Sequence, residues 1–118
     1  MLIEVLKSKI HQAKITQCSI NYNGSLGLDE AFTELAGLNE YEKILIANLS
    51  NGKRLETYII IEERNSGIVS LNGAAARLGE IGDKIIILSF GLMNEEEIKS
   101  FKPKIVFMDD QNVPSVKA

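Results

Sequence analysis

The sequence predicts a single-domain, mainly β protein whose strands close into a barrel. At 118 residues with 45% hydrophobic side chains, the chain is long enough for one core and too short for two. Short β-rich segments separated by Gly, Asn and Asp recur from one end to the other. Helical periodicity is confined to short stretches, which leave little helix to cover an open sheet. A closed barrel is therefore the favoured architecture.

The first part of the chain predicts two strands, a turn and one helix. Residues 3–7 and 13–20 have the β-branched or alternating character of strands, and residues 21–24 supply turn chemistry. From Asp29 the apolar positions follow a helical period, with Asp29 as the N-cap and Gly37 as the stop. One short helix is expected between these two residues.

The middle of the chain contains the clearest hairpin signal. Residues 44–49 and 55–62 predict paired strands, because Asn51-Gly52 between them is a dipeptide that favours a tight hairpin turn. Two short elements are predicted next, a strand and a single helical turn, at residues 68–71 and 74–78.

The last third of the chain begins with its most apolar segment, residues 84–90. Such a run suits a strand that is buried on both faces, or one shared between the core and a subunit interface. Asn94 is placed to cap a short acidic turn that ends at Glu97. Residues 104–108 predict a closing strand, and residues 111–118 are expected to form a loose tail.

Composition excludes several classes of partner. Thirteen basic and 16 acidic residues give a net charge of −3 without a basic block, so nucleic acid is not expected to bind. No run approaches the roughly 20 apolar residues of a membrane helix, and the first residues do not resemble a signal peptide. We therefore expect a soluble, cytoplasmic protein. One Cys and one His offer no conventional metal set, so no metal is expected.

Candidate catalytic residues are few, and each has an ordinary explanation when it is taken alone. Asn23-Gly24-Ser25 alone predicts a turn, and Lys9 and Arg54 alone are typical surface cations. Their combination is more informative, because a glycine before a serine leaves its carbonyl open to attack by the neighbouring hydroxyl. The combined set also contains two aromatic residues, a histidine and a threonine, namely Tyr22, Tyr58, His11 and Thr57.

Read in order, these segments resemble the pyruvoyl-dependent aspartate alpha-decarboxylase family. The likeness extends from the first strand to about Phe90 without a gap. The motifs that carry it are Lys9-Ile10-His11, Tyr22-Asn23-Gly24-Ser25, Asn51-Gly52-Lys53-Arg54 with Thr57-Tyr58, Asn72-Gly73-Ala74-Ala75-Ala76, and Gly82-Asp83.

The resemblance implies a double-psi β-barrel, assembled as a homotetramer with active sites between subunits. It implies that this zymogen cuts itself between Gly24 and Ser25, giving a short N-terminal β chain and a longer C-terminal α chain. In that process Ser25 attacks the Gly24 carbonyl, the resulting ester breaks by β-elimination, and dehydroalanine hydrolyses to a pyruvoyl group. Whether an accessory maturation factor assists the cleavage stays open.

The implied reaction is removal of the alpha-carboxylate of L-aspartate to give beta-alanine and carbon dioxide. It would proceed through a Schiff base with the pyruvoyl group derived from Ser25, so neither pyridoxal phosphate nor a metal is expected. Beta-alanine from such an enzyme supplies pantothenate and coenzyme A biosynthesis.

The resemblance also assigns roles to individual residues. Tyr58 is the expected proton donor, and Thr57 is expected to assist self-processing and to contact the substrate. Arg54 and Lys9 are expected to hold the substrate carboxylates, because a guanidinium matches a carboxylate fork. The remaining expected substrate-binding residues are His11, Tyr22, Asn72, Gly73, Ala74, Ala75, Ile60 and Ile86.

The chain departs from the family pattern in two places, and two alternatives stay open. Ala47 stands where some members have Trp, and the region after Phe90 matches only loosely. One alternative is a β-barrel binding module that has lost self-processing. The other is a pyruvoyl enzyme that decarboxylates a different amino acid.

Overall fold

The computed structural model describes residues 1–116, which form a mainly β fold with short helices. The elements, in chain order, are β1 (Ile3–Lys14), β2 (Gln17–Ser19), β3 (Ser25–Asp29), α1 (Glu30–Ala36), β4 (Lys43–Asn48), β5 (Arg54–Glu62), β6 (Val69–Asn72), a 3-10 helix (Gly73–Leu78), β7 (Lys84–Met93), α2 (Glu95–Ser100), β8 (Lys104–Met108) and β9 (Pro114–Val116).

The strands close into a barrel because β1 and β2, which are nearly continuous along the chain, pair with different strands. The strand order is β2-β6-β3-β5-β4-β7-β1-β8-β9. Only Ile15 and Thr16 separate β1, which pairs with β7, from β2, which pairs with β6. The Thr16 amide donates to the Val69 carbonyl at 2.8 Å, and the Val69 amide donates to the Thr16 hydroxyl at 2.9 Å. These bonds continue the β2–β6 contact back towards β1, so the continuous path from β1 to β2 links β7 to β6 and closes the barrel.

The barrel contains both parallel and antiparallel pairings. β1 lies parallel to β8, β3 parallel to β5 and β2 parallel to β6, whereas β4 pairs antiparallel with both β5 and β7. The predicted single-domain, mainly β fold is confirmed, and its class is the double-psi β-barrel that the family resemblance implies.

The core lies inside the barrel and is built by period-two alternation. Ile85 and Ile87 of β7 are fully buried, whereas the alternating residues Ile86 and Leu88 are half-buried on the outer face. Within one chain β7 is thus buried on one face only, and the alternative of burial on both faces is wrong. The same alternation in other strands buries Ile10, Ile44, Ile46 and Ile59.

Local sequence signals explain both helices. Asp29 caps α1 by accepting from the Ala31 amide at 2.8 Å, and Gly37 ends the helix in a left-handed conformation. Asn94 and Glu97 form a capping box at the start of α2. The predicted α1 is confirmed, and α2 extends the predicted acidic turn to Ser100.

Three predicted boundaries differ from the structure. β1 runs without interruption from Ile3 to Lys14, where two strands had a gap in the prediction. β3 was not predicted at all. The tail prediction is wrong for residues 111–116, because Asn112 is buried and β9 pairs with β8. Residues 117–118 of the predicted loose tail lie outside the described residues.

Candidate active site

Ser25 is fully buried at the first position of β3. Its hydroxyl donates to the Asn23 carbonyl at 3.1 Å and accepts from the side-chain amide of Asn72 at 3.0 Å. The β3–β6 register places Ser25 directly opposite Asn72. The hydroxyl is therefore held in one orientation by partners on two different segments.

The segment before Ser25 rests directly on the backbone at Gly73. Gly73 has a φ of +63°, and a Cβ added there would lie 2.6 Å from the Gly24 Cα and 2.9 Å from the Tyr22 carbonyl oxygen. Only glycine permits this approach. Gly24 itself has open space where a Cβ would stand and is not among the positive-φ glycines. The backbone freedom expected at Gly24 is thus found at Gly73.

A cleft of about 200 Å³ opens beside this contact. Thr57 lines it from β5, where Leu55 and Ile61 on the same face pack against the core. Gly24 and the start of the 3-10 helix line its other side. We call the residues gathered here the Ser25 cluster, which comprises Gly24, Ser25, Thr57, Asn72, Gly73, Ala74 and Ala75.

The other predicted site residues lie on the outer face of the barrel wall. In β5, Arg54, Tyr58 and Ile60 alternate with the residues that face the core, so they point away from it. Pairing places Ala47 beside both Arg54 and Ile86 across three strands. We call this set the outer-face group, which comprises Lys9, His11, Arg54, Tyr58, Ile60 and Ile86.

His11 and Lys9 occupy the outer face of β1, beside the parallel strand β8. The His11 ring meets the Phe107 ring edge-on, with centroids 5.5 Å apart. Burial lowers the pKa of His11, and the nearby charge of Lys9 lowers it further. The imidazole is thus neutral at pH 7, and among the described residues its buried Nδ1 has no hydrogen-bond partner.

The loop before β4 supports the Tyr58 part of the outer-face group. The rings of Tyr41 and Tyr58 lie 6.3 Å apart, and the Tyr41 amide donates to the Ile59 carbonyl at 2.8 Å. The next residue, Glu42, accepts from Lys7 Nζ at 2.8 Å and from the hydroxyl of buried Ser89. Glu42 therefore fastens this loop to β1 and β7.

The lowered pKa of Glu42 is consistent with the hydrogen bonds by which its carboxylate holds the loop. Burial raises the pKa of its carboxyl, but hydrogen bonds from Lys7, Ser89 and Asn39 outweigh that effect and leave the pKa lowered. The carboxylate is therefore charged at neutral pH, where all of these bonds are present.

The structure brings the Ser25 cluster together but does not join it to the outer-face group. No side-chain hydrogen bond links the two sets within residues 1–116. Tyr22 belongs to neither set. Its carbonyl lies close to Gly73, but the residue is 56% exposed. Sequence reasoning overlooked buried Ser70, which donates to Asn72. The available signal was the Ser-x-Asn spacing, with Ser70 inside the predicted strand 68–71 and Asn72 directly after it.

No group of three His, Cys, Asp or Glu side chains within residues 1–116 is arranged to hold a metal ion. Likewise, none of the described helices has both the length and the apolar character needed to cross a membrane.

Residues 1–115 match the model of the family described as aspartate decarboxylase. A protein of Caldicellulosiruptor saccharolyticus named Aspartate 1-decarboxylase is 55% identical over 112 residues, which cover 95% of this chain and 88% of that protein. Proteins of the same name from Clostridium beijerinckii and Campylobacter jejuni are 50% and 52% identical, each over 95% of this chain and 90% and 88% of their own lengths.

Among solved structures, the chain is similar to the rationally designed protein mkDPBB_sym_86. The TM-score is 0.45 at 14% sequence identity, over 75% of this chain and 97% of that one.

Proposed function

The chain belongs to the aspartate decarboxylase family, and we propose that it removes the alpha-carboxylate of L-aspartate to give beta-alanine and carbon dioxide. The proposal includes self-cleavage between Gly24 and Ser25, which converts Ser25 into a pyruvoyl group. Supply of beta-alanine to pantothenate biosynthesis in the cytoplasm is part of the proposal and rests on the family resemblance.

The observation that carries the proposal is the environment of the Ser25 hydroxyl. It is buried, it is held between the Asn23 carbonyl and the Asn72 amide, and it belongs to the residue that follows Gly24. A serine with only a turn-forming role is typically exposed and free to rotate. Burial with two fixed partners instead suits a nucleophile whose target is the adjacent carbonyl.

Self-cleavage uses groups that are all present in the chain. The Ser25 Oγ bonds to the Gly24 carbonyl carbon, the Gly24–Ser25 amide bond breaks, and the hydroxyl proton passes to the Ser25 nitrogen. Loss of the Ser25 Cα proton and of the Gly24 carboxylate from Cβ then leaves dehydroalanine, which water converts to a ketone with release of ammonia. Thr57 lines the same cleft as Gly24, and in this proposal its hydroxyl donates to the carbonyl oxygen during attack.

The surroundings of Ser25 fit a small carbonyl group. The cleft beside Gly24 is small and Ala74 and Ala75 line it, while the missing side chain of Gly73 lets the backbone of residue 24 pack closely against it. A pyruvoyl carbonyl there would supply the electron sink that decarboxylation needs, so no pyridoxal phosphate or metal is required.

The remaining groups bind the substrate and supply a proton. Arg54 and Lys9 pair with its two carboxylates, and the Tyr58 phenol holds the proton that replaces the lost carboxylate. His11, neutral at pH 7, adds a polar group without adding charge to this anion site. Ile60 and Ile86 form its apolar walls.

These groups lie on the outer face, so the proposed site requires a second copy of the chain. A homotetramer would place the outer-face group of one subunit against the Ser25 cluster of another. Apolar exposure on the strands of the outer face supports such contacts, since Phe90 is 43% exposed and Leu92 is 64% exposed.

The test is an intact-mass spectrum of the denatured protein, with and without borohydride in the presence of L-aspartate. The proposal expects pieces of 24 and 94 residues from the 118-residue chain, the larger one lighter by one ammonia than its Ser25-starting form. Borohydride should attach aspartate to the larger piece. Trapping of another amino acid in preference to aspartate would identify a different substrate.

An intact chain that shows no reactive carbonyl after prolonged warming would support the non-catalytic binding module instead. The same incubation with a lysate tests for an accessory maturation factor, since a factor would produce the cleaved pieces only in its presence.

Co-expression of two inactive variants tests the shared site. Ser25→Ala chains lack the nucleophile and Arg54→Leu chains lack the carboxylate partner, but mixed tetramers would contain sites built from the intact half of each. About a quarter of the sites should be complete, because one chain in two supplies each half. No recovery of activity in mixed tetramers would show that one chain supplies both groups.

A further inference from the structure

Ser70 is a buried serine that the proposed mechanism does not yet use. It lies in β6, two residues before Asn72, and it is only 4% exposed. Its hydroxyl donates to the Asn72 Oδ1 at 2.7 Å. Ser70, Asn72 and Ser25 thus form a buried hydrogen-bonded chain that ends at the Asn23 carbonyl.

The Ser70 bond determines which end of the Asn72 amide faces Ser25. An asparagine side chain has one acceptor oxygen and one donor nitrogen, and a half-turn about its last torsion exchanges them. With Ser70 bonded to Oδ1, the Nδ2 group points at the Ser25 Oγ, 3.0 Å away. Without Ser70, the reversed amide would present an acceptor to that hydroxyl.

The difference matters at the moment when Ser25 attacks. Negative charge develops on its Oγ as the hydroxyl proton leaves, and an N–H donor stabilises this charge whereas a carbonyl oxygen opposes it. A donor that is oriented beforehand in a buried site costs no reorganisation during the reaction.

We propose that Ser70 is a positioning residue for self-cleavage, acting through Asn72 on the Ser25 nucleophile. The inference rests on the proposed function, because it concerns the rate of the step in which the Ser25 Oγ bonds to the Gly24 carbonyl carbon and the amide bond breaks. Ser70 does not touch the reacting atoms itself.

The test is the first-order rate constant of cleavage, followed by intact mass in freshly purified precursor. Ser70→Ala should cleave about tenfold more slowly, less than the loss expected for removing a direct donor. Ser70→Thr, which keeps the hydroxyl, should restore most of the rate. Ser8→Ala is the matched control, since Ser8 is equally buried but its hydroxyl has no partner among the described residues.

The double variant Ser70→Ala/Asn72→Ala separates positioning from packing. If Ser70 acts through Asn72, the double variant should cleave at the rate of Asn72→Ala alone, because there is no amide left to orient. If the double variant cleaved more slowly than Asn72→Ala by the full factor lost in Ser70→Ala, the inference would be overturned. Cleavage of Ser70→Ala at the wild-type rate would also overturn it. So would cleavage of Ser70→Thr as slow as that of Ser70→Ala.

A second substitution covers the case in which Ser70→Ala does not fold. Ser70→Cys keeps a side chain of similar shape with a weaker donor, so it should cleave severalfold more slowly than wild type. Cleavage of Ser70→Cys at the wild-type rate would overturn the inference while leaving the proposed function in place. A wild-type chain that never cleaves would overturn the proposed function itself.

Discussion

The Ser25 cluster and the outer-face group differ in how completely one chain builds them. The cluster is buried, its polar atoms are paired, and β3, β5 and β6 hold it in fixed register. The outer-face group is spread over the convex side of the wall and has few partners within the chain. The groups for the proposed self-cleavage, which would occur once within one chain, are thus assembled by folding. The site for an external substrate would be completed only when two copies of the chain associate.

The largest expected effect removes the nucleophile of the Ser25 cluster. Ser25→Ala should abolish both cleavage and decarboxylation, because it removes the nucleophilic hydroxyl, while the fold survives because alanine is smaller than the serine that it replaces. Intact mass, circular dichroism and carbon dioxide release measure the three outcomes. The exposed Ser100→Ala variant is the control. An active Ser25→Ala protein would rule out the mechanism.

The next expected effect comes from the outer-face group. Tyr58→Phe should cleave normally but turn over aspartate about 100-fold more slowly, since loss of a general acid typically costs at least this much. Cleavage is measured by intact mass and turnover by beta-alanine formation. Turnover at the wild-type rate would remove Tyr58 as the proton donor, and slow cleavage would contradict the separation of the two regions.

Gly73→Ala probes the contact that supports residue 24. The left-handed φ and the 2.6 Å approach to the Gly24 Cα predict a loss of about 1–3 kcal/mol in the free energy of unfolding, together with slower cleavage. Gly24→Ala is the matched comparison, because a Cβ there meets open space and should leave stability nearly unchanged. Equal losses from both substitutions in urea titrations would contradict this reading.

The smallest expected effect concerns Glu42, whose hydrogen bonds to Lys7 and Ser89 hold the loop that contacts Tyr58. Glu42→Gln should lower the free energy of unfolding by about 1–2 kcal/mol at neutral pH. Because folding lowers the pKa of Glu42, its contribution is present above the unfolded-state pKa and is lost as pH falls through the folded-state pKa. The difference between wild type and variant should therefore shrink at acidic pH.

Glu56→Gln is the control for the Glu42→Gln variant. Its ion pair with Lys43 is exposed, with 61% of the Glu56 side chain accessible, and should contribute little. A variant difference at Glu42 that stayed constant with pH would show that its hydrogen bonds do not depend on the charge.

Elements governed by neighbours in sequence could be predicted from the sequence. The caps Asp29 and Gly37 define α1, and Asn51-Gly52 defines the β4–β5 hairpin, because each signal lies beside the structure that it determines. β3 was missed because its partners β5 and β6 lie far along the chain. β9 was missed for a related reason, since its three residues form a strand only through pairing with β8.

The candidate site shows the same division. The adjacency of Gly24 and Ser25 is visible in the sequence, and so are the motifs that contain Asn72 and Gly73. Thr57 and Tyr58 are neighbours in the sequence, yet strand alternation turns them to opposite faces. The burial of Ser25 and the bond that it accepts from Asn72 depend on the β3–β6 register, which no local pattern specifies.

The path of β1 and β2 around the barrel has a consequence for the cleaved protein. Residues 1–24 contain both strands, and β1 pairs with β7 and β8 while β2 pairs with β6. A fragment of residues 1–24 would thus stay hydrogen-bonded to three other strands and could not dissociate while the barrel is folded. If the proposed cleavage occurs between Gly24 and Ser25, refolding becomes a bimolecular reaction. The midpoint of unfolding should then depend on protein concentration, as it would not for an isolated precursor chain.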